Sequence, residues 1–209
     1  MTRSPVLILV LLAGCSSPKQ KMQKCQQKCV GLKSDFAKRV CDGVCEKRIY
    51  GELDIDKLAS LCDGDDPTAC LRFAVKATDP GKVATKLQAC CDRGTAECCG
   101  LLGKMYSRGK ILKPDKAKGY GMMEKACTLG DGTACASPGL EHMRKQSYKR
   151  AHELFALGCD KDSKFACGLL GVLYRDGKGV ARDTAKARKF LDKACRLGAD
   201  SSCKALRRL

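Results

Sequence analysis

The sequence contains no tryptophan, and aromatic residues make up only 5% of its 209 positions. So few large apolar side chains furnish a thin core, and something besides burial must support the fold. The same scarcity leaves the basic stretches without interleaved aromatics, which excludes the stacking platforms of single-stranded nucleic-acid grooves. Cysteines never stand three apart as C-x2-C. That absence removes the paired ligands of structural zinc and the thioredoxin-like redox signature together. His142 and His152 are the only histidines, and no acidic residue stands at a metal-binding spacing from either. His142 falls in the column of Tyr106 and Tyr174, a helix-packing position, and neither metal nor cofactor is expected. Beyond the N-terminus, no apolar run approaches the length of a membrane span.

What the sequence does contain is cysteine, 17 of them, and charge: 40 basic against 23 acidic residues, a net +17. Thiols at this density belong in an oxidising compartment, where they form disulfide frameworks. The charge favours anionic partners and carries no statement about fold. The opening MTRSPVLILVLLAGC joins one Arg to an apolar run, Val6 to Ala13, and then small residues. This fits a signal peptide and is too short to span. Leu12-Ala13-Gly14-Cys15 resembles a bacterial lipobox, in which Cys15 is acylated and becomes the first mature residue; two or more acyl chains anchor stably. Ser16 and Ser17 stand where inner-membrane lipoproteins often carry Asp, which favours the outer membrane. Lys19, Lys21, Lys24 and Lys28 follow closely, within reach of anionic headgroups.

The remaining cysteines keep one interval. Eight positions separate Cys62 from Cys70, Cys90 from Cys98, Cys91 from Cys99, Cys127 from Cys135, Cys159 from Cys167 and Cys195 from Cys203. Residues 99–135 align without a gap on 167–203, with 17 of 37 positions identical, the mark of a repeat array. Each unit reads as two helices. Leu169, Leu170, Leu173 and Tyr174 recur at helical spacing until Asp176-Gly177-Lys178-Gly179 breaks the run. A second helix, Asp183 to Leu197, carries Ala187, Leu191, Ala194 and Cys195 as an apolar stripe, and Gly198 ends it. Asp200 or Ser201 is expected to cap the next helix, as Asp66-Pro67 starts the one before Cys70. Eight residues of continuous helix would hold two cysteines about 12 Å apart, beyond disulfide reach. A glycine turn between them brings one helix end against the next helix start, and the pair closes as a staple.

Near the N-terminus, Cys25 and Cys29, then Cys41 and Cys45, form two C-x3-C pairs, each on one helix face. With a turn at Gly31 and a start signal at Ser34-Asp35, an antiparallel hairpin joins Cys25 to Cys45 and Cys29 to Cys41. All sixteen cysteines after Cys15 then have partners, in a connectivity that sequence alone leaves open.

Tyr174 to Val180 reads Tyr-x-x-Gly-x-Gly-Val, and Asp183 to Ala187 reads Asp-x-x-Lys-Ala. These residues resemble the Sel-1-like repeat family, and the Cys-x7-Cys spacing after Lys-Ala-Cys-x-Leu-Gly resembles its cysteine-rich secreted branch. The likeness covers roughly residues 58–209 and is weakest after Cys135, where Ser137-Pro138 replaces two leucines. It implies an all-α, right-handed solenoid of helix pairs, related to tetratricopeptide repeats, with a concave groove for partners. Polar positions late in the first helices are the groove candidates: Lys76, Lys104, Ser107, Arg108, Arg144 and Arg175. That branch also includes proteins that bind or slowly hydrolyse β-lactams, so S-x-x-K matters. It occurs at Ser16–Lys19, Ser107–Lys110 and Ser201–Lys204, too little above chance to carry weight, while S-D-N and K-T-G are absent.

The expected organisation is a cleaved signal peptide (1–14), a lipidated tether (15–24), a disulfide-linked hairpin (25–50) and a repeat solenoid (51–209). The expected function is that of a monomeric, non-catalytic lipoprotein of the bacterial outer membrane, periplasmic or surface-exposed. Its groove would hold a protein, a peptide or an anionic envelope polymer, and not nucleic acid. The alternative is a weak β-lactam hydrolase or penicillin-binding protein.

Overall fold

The computed structural model describes residues 17–27, 35–64, 66–109 and 112–209, the side chains of 35–42 excepted. Cys15, and with it the lipidated end of the tether, lies outside the described residues, as does the Cys29–Cys41 pair. The described residues are all-helical, without a strand, and fall into two compact units that divide between Lys76 and Ala77.

The first unit holds α1 (Pro18–Gln27), α2 (Asp35–Tyr50), α3 (Ile55–Asp63) and α4 (Pro67–Lys76). Cys25 on α1 is bonded to Cys45 on α2, with Cα atoms 5.8 Å apart. Residues before Cys25 lie beside residues after Cys45, so the two helices run antiparallel. A start signal positions α4: Asp66 Oδ1 accepts from the Ala69 amide at 3.1 Å, and Pro67 opens the helix with the φ that its ring fixes. The other carboxylate oxygen accepts a bond from the Tyr50 hydroxyl at 2.7 Å, in a buried setting. At the far end of α4, Lys76 donates to the carbonyls of Gly51 and Leu53, both at 2.8 Å. These bonds tie α4 to the end of α2 and to the turn that follows it.

The second unit runs α5 (Pro80–Asp92), α6 (Ala96–Arg108), α7 (Lys116–Thr128), α8 (Ala136–Arg144), α9 (Tyr148–Asp160), α10 (Lys164–Asp176), α11 (Thr184–Arg196) and α12 (Asp200–Leu206). Within a repeat the first helix lies along the second, α6 on α7 and α10 on α11. Small residues allow the approach: a Cβ on Gly103 would stand 2.7 Å from the Gly119 carbonyl oxygen. The stripe on α11 is buried at Ala187, Leu191 and Ala194, and Asp183 caps that helix by accepting from the Lys186 amide at 2.8 Å.

Between repeats, the staples hold each second helix to the next first helix. Cα separations are 5.9 Å for Cys90–Cys98, 4.7 Å for Cys91–Cys99 and 4.9 Å for Cys127–Cys135. They are 4.5 Å for Cys159–Cys167 and 4.8 Å for Cys195–Cys203. In the first unit, Cys62–Cys70 closes the same interval at 4.5 Å. Three residues past the leading cysteine the backbone turns left-handed, at Gly94, Gly130 and Gly198, and Asp162 takes that position at φ 56°. Most half-cystines are fully buried, so the staples are themselves core.

One expectation fails locally. Neither Asp200 nor Ser201 caps α12; the N-cap is Ala199, without a side-chain bond. The turn after Gly198 enters the helix one residue before Asp200, which places both polar residues inside its first turn.

Candidate binding recess

Counted from the second cysteine of each staple, three positions recur on one surface, all three around α8 and α10, two on α12 and one on α6. Two residues before it stand Thr133, Phe165 and Ser201; two after it, Ser137, Leu169 and Ala205; five after it, Lys104, Leu140 and Val172. Intervals of four and three are one helix face. These nine residues line a single recess of about 590 Å³ across α8, α10 and α12, with Lys104 of α6 at its edge. Its floor is apolar yet open to solvent, with Leu140 exposed at 46% and Phe165 at 61%. Lys164 sits on the rim, donating to the Gly198 carbonyl at 3.1 Å, with its ammonium 5.5 Å from the centroid of the Phe165 ring.

Of the six residues taken as groove candidates, Lys104 alone lines this recess. Lys76 belongs to the first unit, where its ammonium holds the two carbonyls after α2. Ser107 turns toward α7: its Cβ lies 2.9 Å from where a Cβ on Gly119 would be. Arg108 is exposed at the end of α6. Arg144 is bonded through Nε and Nη2 to Glu141, at 2.9 and 2.7 Å, and holds that carboxyl down to about 2. Arg175 pairs with Asp176 at 2.7 Å, and the bond keeps its guanidinium above the ordinary arginine value. The surface is therefore less cationic and more apolar than those six residues suggest.

The apolar floor was missed because Leu169 reads as part of a core stripe. A signal for Phe165 was available: two residues before the aligned segments it stands opposite Glu97, so a large ring occupies a position where another repeat is content with charge.

The histidines take polar partners across helices. His142 Nε2 lies 2.8 Å from Glu124 Oε1, and Arg150 donates to Glu124 Oε2 at 3.0 Å. Burial pushes the Glu124 carboxyl up, but the bonds from His142 and Arg150 outweigh it and bring it below the usual glutamate range. His152 meets the Tyr174 hydroxyl at 3.1 Å, and Tyr174 stacks on Phe190 at 5.6 Å. Among the S-x-x-K serines, Ser201 lines the recess; its hydroxyl bonds to no lysine or carboxylate among the described residues. Ser16 and Lys110 lie outside them.

With that geometry in hand, the profile of the Sel1 repeat matches residues 96–131, 135–163 and 164–198. The β-lactamase HcpA of Helicobacter pylori is 30% identical over 89 residues, covering 43% of this chain and 29% of that protein. Cytochrome c oxidase assembly factor 7 of Xenopus tropicalis is 29% identical over 148 residues, covering 63% of this chain and 64% of that protein. The chain thus spans less than two thirds of either relative. A protective antigen of uropathogenic Escherichia coli strains, crystallised and displaying an SLR fold, superposes with a TM-score of 0.65 at 20% identity. It covers 74% of this chain and 36% of its own, a likeness of fold.

Proposed function

We propose, from the Sel1 repeats matched at residues 96–131, 135–163 and 164–198, that this chain is a non-catalytic binding protein of the bacterial envelope. Acylated at Cys15 and anchored to the outer membrane, it presents the second unit's recess to a segment of a protein partner. One observation carries the reading: solvent-accessible apolar side chains of successive first helices, Leu140 on α8, Phe165, Leu169 and Val172 on α10 and Ala205 on α12, meet in one recess of about 590 Å³. A monomeric soluble surface rarely keeps such a contiguous patch without a use for it. The apolar floor fits a peptide better than it fits an anionic polymer, whose charges need cations along their whole length. The two curated relatives carry names of unlike activities, one an enzyme and one an assembly factor, so neither name decides this chain's activity. We assign no catalytic residue.

Site-specific photo-crosslinking in producing cells tests the proposal. A benzoylphenylalanine at Phe165 should give one discrete protein adduct that is lost when Leu140→Glu is added. The same probe at Lys189, which is exposed on α11, should give none. Equal labelling from both positions would defeat the recess as the binding surface. Nitrocefin turnover by the purified protein, abolished by Ser201→Ala, would replace binding with hydrolysis. For the anchor, Cys15→Ser should move the protein from the membrane pellet to the high-salt soluble fraction, and retention in the pellet would remove the lipobox reading.

A further inference from the structure

The first unit carries a second concavity, unlike the recess in every respect. The Cys25–Cys45 bond pins α1 against α2 in antiparallel register. Lys21 and Lys24 lie four and one residues before that pin; Arg48 and Ile49 lie three and four after it. Helical spacing therefore turns all four toward the same end of the hairpin. They enclose, with Pro18 and Leu53, a cleft of about 450 Å³. Lys21, Lys24 and Arg48 are exposed, and none pairs with a carboxylate among the described residues. Leu53 is held in place from behind, since Lys76 binds its carbonyl and that of Gly51. Three like charges line one cleft without a carboxylate partner, so an anion placed there gains attraction from all of them.

We infer that this cleft binds the phosphate of an anionic phospholipid headgroup in the bilayer that anchors the chain. Three cations line the cleft together with the half-buried side chains of Ile49 and Leu53, a pairing of charge and apolar surface that suits a phosphate and the glycerol and acyl carbon attached to it. The position agrees. Pro18 is only three positions past Cys15, a contour of roughly 10 Å, so an acylated Cys15 keeps the cleft at headgroup level. The site thereby fixes how the hairpin meets the membrane, which an acyl tether alone does not.

The inference takes its setting from the proposed acylation, but its test is independent of it. The mature Cys15→Ser chain is mixed at low ionic strength with vesicles of phosphatidylcholine, with or without phosphatidylglycerol, and sedimented. Binding should require phosphatidylglycerol. A membrane-proximal cation contributes about fivefold in partition, so K21Q/K24Q/R48Q should lose at least about tenfold. The variant K116Q/K189Q/K204Q removes equal charge from exposed lysines of the second unit and should stay within about threefold of the parent. Equal losses in the two variants would reduce the effect to net charge and overturn the site, as would a parent that ignores phosphatidylglycerol. Should the triple variant melt early, K21Q and R48Q singly, each expected to lose about fivefold, carry the same comparison. Inorganic phosphate at matched ionic strength should leave vesicle binding unchanged; displacement by it would make the ligand free phosphate.

Discussion

Tyr50 is almost completely buried, and its hydroxyl spends its one proton on Asp66. Desolvation first, and then the neighbouring carboxylate, raises the phenol well above its ordinary value of 10.0. Tyr50→Phe keeps the ring's packing but strands a buried carboxylate oxygen, which costs about 2 kcal/mol. Urea unfolding should show that loss as a lower midpoint with an unchanged slope. Glu124 makes the opposite case. Its carboxyl is lowered on folding, so its contribution is complete above the ordinary value of 4.5 and is lost as pH falls through the depressed folded value. In Glu124→Gln the bonds from His142 and Arg150 lose their charged acceptor. Stability should drop by about 1 kcal/mol at pH 6, discounted for partial exposure. The variant should then lose less than the parent between pH 5 and 3; parallel pH profiles would show the cluster to be inert.

Among the elements, the staples differ in what they contribute. A nine-residue loop closed by Cys127–Cys135 stabilises by about 2.6 kcal/mol through the unfolded chain. Cys90–Cys98 and Cys91–Cys99 close nearly the same loop twice, so either bridge alone has already removed most of its freedom. C127A/C135A should therefore lower the melting midpoint far more than C90A/C98A, and equal losses would show that the bridges act through native packing instead. The helix pairs and the staples were legible because both depend on local spacing: cysteines eight apart around a glycine, leucines at helical intervals. Asp162 shows the reach of such local rules, since it accepts the left-handed turn that glycine takes elsewhere and lets the bridge close unchanged. The recess was not legible in the same way. Leu169 looks alike in a core stripe and in an open floor, and only the neighbouring helices decide which it is. Arg144 and Arg175 read as free cations until the carboxylates beside them, Glu141 and Asp176, are seen to bind them.

For the whole molecule, the sixteen cysteines of the mature chain pair without remainder on the proposed framework. Denatured, unreduced protein from an oxidising compartment should then show no free thiol by Ellman titration, and two or more per chain would break that framework. The two units also make the molecule bifunctional on our reading, with a cationic cleft for the leaflet on one and an apolar recess for a partner on the other. The shortness of the staples has a further consequence for how such a chain comes into being. Each bridge in the repeats joins cysteines that emerge within nine residues of each other, and for Cys62, Cys127, Cys159 and Cys195 the correct mate is the next cysteine to arrive from the N-terminus. Oxidation can keep pace with arrival, one repeat locking before the next appears. Those eight thiols pose almost no search problem, and on refolding from the reduced state scrambled isomers should be confined to the hairpin cysteines and the adjacent pairs Cys90-Cys91 and Cys98-Cys99.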